Sequence, residues 1–194
     1  LTITSIIRNF FLAFLLLSAS DWTNENNFGI IHFLNSSPLL SIIVGILILD
    51  LVGAYLPHLV QHKVKLLWYI HIVHHTDQKV DTTTANRHHP FESIIRFTFT
   101  LIGIFISGAP IGLVLMYQSL SVILSQFNHA NIQISEKVDK ALSYIIVSPN
   151  MHKVHHHFEL PYTDSNYGNI FSLWDRLFGT YMELSKNEII YGID

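Results

Sequence analysis

At 194 residues, with a formal charge of −3 and 13% charged against 49% apolar side chains, the chain suits one membrane domain better than a soluble globule, whose charged share is about a quarter. The absence of cysteine excludes disulfides, iron–sulfur clusters and zinc–thiolate sites, so any metal must sit on nitrogen and oxygen. With no basic patch and no aromatic–basic interleaving, nucleic acid is excluded as a partner.

The first residue is Leu1 rather than Met, which leaves the start of the chain open, a targeting segment included. "IIRNFFLAFLLLSA" (6–19) is the first candidate span, and the polar "SDWTNENN" (20–27) and a weaker apolar stretch around His32 follow it. "PLLSIIVGILILDLVGAYL" (38–56) is the second span. It carries Asp50, a carboxylate whose cost in a membrane marks it as functional by default. Positions 50, 54, 58 and 62 form one i+4 row, so Asp50 is expected to orient a histidine or bind an inward water, with structural pairing to another helix as the competing reading.

"HLVQH" (58–62), "HIVHH" (71–75) and "RHHPFE" (87–92) fill the next segment. The longest run without a charged residue is Phe97 to Ser135, long enough for two slightly short spans, "IIRFTFTLIGIFI" and "IGLVLMYQSLSVILSQF", hinged at "SGAP" (107–110). "NHAN" (128–131) and "MHKVHHH" (151–157) close the series. The expected fold is therefore all-α, an integral membrane protein with about four transmembrane helices and a helical histidine-rich region, in one domain over 1–194. All eleven cations fall at Arg8, between Lys63 and Arg96, or from Lys137 onward. By the positive-inside rule every histidine cluster then lies on the cytoplasmic side of a multi-pass membrane protein.

On a helix, i, i+3 and i+4 share a face, so His71, His74 and His75 can converge, as can His152, His155 and His156. His58 and His62 add a pair, and His129 stands where the fourth span meets the cytoplasm. His89 is a further candidate, as ligand or as outer donor. His88 and His157 are read as neighbours, and His32 falls on the opposite side of the membrane. One ion takes four to six donors, so eight or more imidazoles imply two metals. Calcium and magnesium prefer oxygen donors; zinc and iron both accept imidazole.

These motifs resemble, in order and over roughly residues 45–182, those of the fatty acid hydroxylase and sterol desaturase superfamily of membrane di-metal oxidases. "HLVQH" is similar to its HxxxH box, "HIVHHTD" and "MHKVHHH" to its two HxxHH boxes, "RHHPFE" to its R-x-HP-x-E segment, and "NHAN" to its post-span histidine. "NYGNIFSLWDRLFGTY" (166–181) is similar to its C-terminal signature. Here Leu59 stands where an arginine often follows the first histidine, and Pro57 precedes it, so helix geometry at His58 is expected to differ. The resemblance implies two iron ions, replaceable by zinc on purification, and O2 as co-substrate for hydroxylating or desaturating a membrane lipid. With no flavin or nicotinamide fingerprint, electrons are expected from a separate reductase, ferredoxin or cytochrome. No catalytic side chain is expected beyond the metal ligands, and Asp175 is expected behind them in a supporting position. The alternative from another class is a histidine-rich metal transporter, which would place its ligands near the bilayer midplane on broken helices.

Overall fold

The computed structural model describes the backbone of residues 3–34 and 36–193, with side chains from residue 10 onward. Its helices are α1 (Ile3–Glu25), α2 (Ile30–Leu34), α3 (Pro38–Asp50), α4 (Leu56–Lys63), α5 (Lys65–His75), α6 (Pro90–Ser107), α7 (Ile111–His129), α8 (Glu136–Leu142), α9 (Pro149–His155) and α10 (Leu173–Leu177). Among the described residues there are no β-strands, only the isolated bridges Ile146–Phe171 and His157–Tyr191. The all-α expectation holds.

Helix starts follow from local chemistry. Ser37, His89 and Ser148 cap α3, α6 and α9 by accepting from Leu40 N, Phe91 N and Met151 N, and a proline stands next at N1 in each case. The "SGAP" hinge forms as the sequence predicts. Gly108 ends α6 in the left-handed region at φ 71°, where a side chain would collide with the Phe28 carbonyl.

Among the described residues three helices are long and apolar enough to cross a membrane: α3 running on into α4 (Pro38–Lys63), α6 and α7. Their outer faces carry exposed Leu39, Ile43, Ile102, Ile106, Leu115 and Ile123, while Leu49, Ile104, Leu113, Val114 and Tyr117 form the core between them. The first expected span falls on α1, part of which lies outside the residues with described side chains. Ser20 Oγ donates to the Ala109 carbonyl (2.9 Å), and His32 Nε2 lies 3.2 Å from the Gly108 carbonyl. The end of α1, α2 and the α6–α7 hinge thus meet at one end of the bundle, away from the histidine clusters.

Between α3 and α4 the helix widens into a π segment, Leu51–Tyr55. Pro57, lacking an N–H, cannot donate to a carbonyl one turn back, and a wider turn absorbs that loss. The extra residue per turn breaks the i+4 row from Asp50 to His58. Asp50, fully buried, instead accepts from Ile170 N (3.3 Å), Phe171 N (3.1 Å) and Trp174 Nε1 (2.9 Å). It ties the second span to the C-terminal segment and touches no imidazole, which corrects the expectation that it orients a histidine directly.

Candidate metal centre

Nine imidazoles from α4, α5, α7, α9 and the C-cap of α9, His156, meet in two groups, each with ring nitrogens within 4.8 Å of one another. His58, His62, His71, His75 and His155 form the first group; His74, His129, His152 and His156 form the second. Each HxxHH motif is divided between them. α5 sends its i, i+4 pair, His71 and His75, to the first group and His74 to the second. α9 does the reverse, with His152 and His156 in the second group and His155 in the first. At about 100° per residue, the i+3 side chain lies on the far side of position i from i+4, so one turn of helix can face two centres.

Backbone carbonyls settle the tautomers. A carbonyl only accepts, so His58 Nδ1–H donates to Tyr167 O (2.9 Å), His155 Nδ1–H to Ser165 O (2.7 Å) and His129 Nδ1–H to Ser125 O (2.8 Å). In each ring the bare lone pair is then on Nε2. In the second group the Nε2 atoms of His74, His152 and His156 lie 3.1, 3.0 and 3.2 Å from His129 Nε2. One acceptor lone pair does not suit three neighbours. A metal bound at about 2.0–2.1 Å would separate its nitrogens by about 2.9 Å at octahedral and about 3.3 Å at tetrahedral edges. In the first group Nε2 of His58, His62, His71, His75 and His155 are all buried without a hydrogen-bond partner. Orphaned buried acceptors are costly, and five converging ones fit a cation. Both nitrogen-only donor sets therefore fit a transition metal.

Burial, reinforced by neighbouring imidazoles, holds His74, His75, His152 and His156 well below the usual histidine range, and burial pushes His155 down to about 3. The rings are thus neutral at physiological pH, the form that binds metal.

Behind the imidazoles stand further polar groups, of which Glu92 is marked in the sequence only by its "RHHPFE" motif. Glu92, 1% exposed, lies with Oε1 3.3 Å from His71 Nδ1 and 2.9 Å from His88 Nδ1. It stands in the first turn of α6, at the end of the "RHHPFE" segment. His88 also stacks on His74 with centroids 4.7 Å apart, so it is the neighbour that was expected. His89 joins neither group. Its Nδ1 accepts from Phe91 N (3.2 Å) as the cap of α6, which corrects its candidacy. His157 accepts from Ile190 N (3.0 Å), outside both groups.

Asp175 is fully buried and accepts from Tyr167 N (2.7 Å), Gly168 N (2.8 Å) and Thr180 Oγ1 (2.7 Å). Burial pushes it up to about 6, against the pull of those donors. It holds the peptide whose carbonyl orients His58, one step behind the imidazole. Gly168 permits the approach, since a Cβ there would sit 2.8 Å from Asp175 Oδ2. Asp175→Ala is expected to strand these donors at about 1–3 kcal/mol for each buried one, lowering the melting temperature. It should also weaken metal retention about tenfold through His58. Wild-type metal affinity in a folded variant would remove Asp175 from this supporting position.

The sequence model described as Fatty acid hydroxylase matches residues 42–180, a range that contains all nine imidazoles and the C-terminal segment. The chain is 25% identical over 140 residues to an ornithine lipid hydroxylase of Rhizobium tropici, a match covering 72% of this chain and 41% of that protein. It is 30% identical over 145 residues to an alkylglycerol monooxygenase of Danio rerio, covering 73% of this chain and 30% of that protein, and 26% identical over 142 residues to the human alkylglycerol monooxygenase, with the same two shares. The chain thus spans less than half the length of these relatives. No solved structure matches it. With the ordered histidine motifs, the helices that carry them and a family match over most of the chain, the protein belongs to the fatty acid hydroxylase family.

Proposed function

We propose that the chain forms the metal-binding core of a membrane lipid hydroxylase that uses O2 and electrons from a separate reductase, ferredoxin or cytochrome. The observation that carries this reading is the pair of buried nitrogen-only groups at one end of membrane-spanning helices. His58, His62, His71, His75 and His155 would hold one iron ion, and His74, His129, His152 and His156 the other. When bound, the two ions would supply O2 activation and attack on an unactivated C–H bond, chemistry that no side chain here offers. The ornithine lipid hydroxylase and the alkylglycerol monooxygenases support a lipid as the substrate class.

The protein's own part is to orient and to exclude. The carbonyls of Tyr167, Ser165 and Ser125 keep three rings in the tautomer with Nε2 bare, and Glu92 steadies His71. Seven of the nine rings are buried and His58 and His62 half-buried, which would keep bulk water from the oxidant. The histidines are proposed to face the cytoplasm, with α1 as a fourth span.

Untargeted lipid mass spectrometry under labelled O2, comparing cells expressing wild type with cells expressing His155→Ala, tests this. A species heavier by one labelled oxygen and absent from the variant is the expected result. A species lighter by two hydrogens would instead make the protein a desaturase. Neither species, with metal loaded and electrons supplied, would sink the oxidase reading. Zinc found after overexpression would not decide the issue, because imidazole sites accept both ions.

A further inference from the structure

Arg96 is the single arginine inside the three membrane-crossing helices, about 9 Å along α6 from its histidine end. Such a residue normally pairs with a carboxylate. Glu92, one turn earlier on the same helix, is turned to His71 and His88, and among the described residues no Asp or Glu lies within 4.0 Å of the Arg96 guanidinium. Its guanidinium makes no hydrogen bond to another described residue either.

The half-buried Arg96 lines three cavities at once. One, of about 40 Å³, touches His58, His71, His74, His129 and His152 and has room for one or two water-sized molecules, not for an acyl chain. The second, of about 250 Å³, runs between α6 and α7 past Phe97, Tyr117 and Val122 to Leu16. The third, of about 290 Å³, is lined by Asn86, His88, Glu92, Ser93, Ser125 and Gln126 together with Arg96. Two cavities of mixed polar and apolar lining and the metal groups therefore share one cation without a carboxylate partner among the described residues.

Given the lipid hydroxylase reading on which it rests, we propose that the α6–α7 groove binds a membrane lipid whose headgroup carries a phosphate or carboxylate oxyanion, with Arg96 as the residue that pairs with it. The chain of the lipid lies along the cavity that holds Leu16, Phe97 and Val122, and the oxyanion takes the fork of Arg96 where the cavities meet. Because only the region around Arg96 borders the metal groups, the C–H bonds presented there are those near the headgroup and not those at the far end of the chain.

The test reads binding, not oxidation. Metal-loaded protein in detergent is examined by native mass spectrometry with phosphatidic acid against the diacylglycerol of the same chains, and with a fatty acid against its alcohol. Wild type should retain at least one anionic lipid over its neutral match by on the order of tenfold, the scale of a charge-assisted bidentate pair. Arg96→Gln should level that preference and Arg96→Lys should keep part of it. Should Arg96→Gln fail to fold, Ser93→Asp offers Arg96 an internal carboxylate at i−3, on a position that is exposed, and should level the preference equally. An undiminished preference in the folded Gln variant, in Ser93→Asp, or its absence from wild type, would overturn the assignment to Arg96 and leave the lipid reading standing. Inorganic phosphate displacing the anionic lipid at equal concentration would show a site for the free ion and overturn the lipid occupant. If no lipid of any class bound, the lipid reading itself would fall.

Discussion

Alanine at position 74 is expected to empty one metal position and leave the other loaded, so that metal content falls from about two ions per chain to about one. Alanine at position 75, the next residue, should give the same count by emptying the other position. The prediction follows from the division of each HxxHH motif, with His74 beside His129, His152 and His156, and His75 beside His58, His62, His71 and His155. The double variants separate the two groups. His74→Ala with His156→Ala removes two rings of one group and should still retain about one ion. His74→Ala with His75→Ala strikes both groups and should retain almost none, although the residues are adjacent in the chain. Metal analysis of purified protein reads this directly. Turnover should fall in every case by at least the roughly 100-fold that loss of an outer partner alone can cost. The reverse pattern, with about one ion kept by His74→Ala with His75→Ala and almost none by His74→Ala with His156→Ala, would mean that each motif serves one ion and that the crossed arrangement is wrong.

Acidification from pH 7 to pH 5 should release metal and destabilise the fold together. His155 is held down to about 3, and His74, His75, His152 and His156 well below their usual range, all chiefly by burial. A group with a lowered folded pKa binds fewer protons in the native state than in the unfolded one. Stability then falls as pH drops from the unfolded value of about 6.5 toward the folded one. For His155 alone the loss at pH 5 is about 2 kcal/mol. Metal binding demands the same deprotonated rings and carries the same sign. Asp175, raised to about 6, works the other way, gaining about 1 kcal/mol over the interval, but it is one group against five. Melting temperature and bound metal, followed from pH 7.5 to 5, should drop on one curve. A flat profile across that interval would contradict the burial of neutral imidazoles at the site.

The sequence by itself determined the all-α class and picked out the nine histidines that the fold brings together. Uncharged runs long enough for a bilayer, a Gly–Pro break at 107–110 and imidazoles at helical spacing are local properties, and the helices carrying them formed where these signals stand. Proline and a capping residue marked the starts of α3, α6 and α9 for the same local reason. Only the tertiary structure decided how the histidines are shared. An i, i+3, i+4 triplet is compatible with one centre or two, and which holds depends on where α4, α7 and α9 stand around α5, set by contacts far apart in the chain. His89 shows the limit from the other side, since its motif placed it with the ligands while its backbone position made it a helix cap. Asp50 shows it again: the i+4 row assumed an unbroken α-helix, and the π segment before Pro57 turned the carboxylate toward residues 170–174, about 120 positions away. Glu92 and Asp175 hold the imidazoles through contacts that no periodicity records, because a carboxylate's partner is chosen by the packing of whole helices and not by its neighbours in the chain.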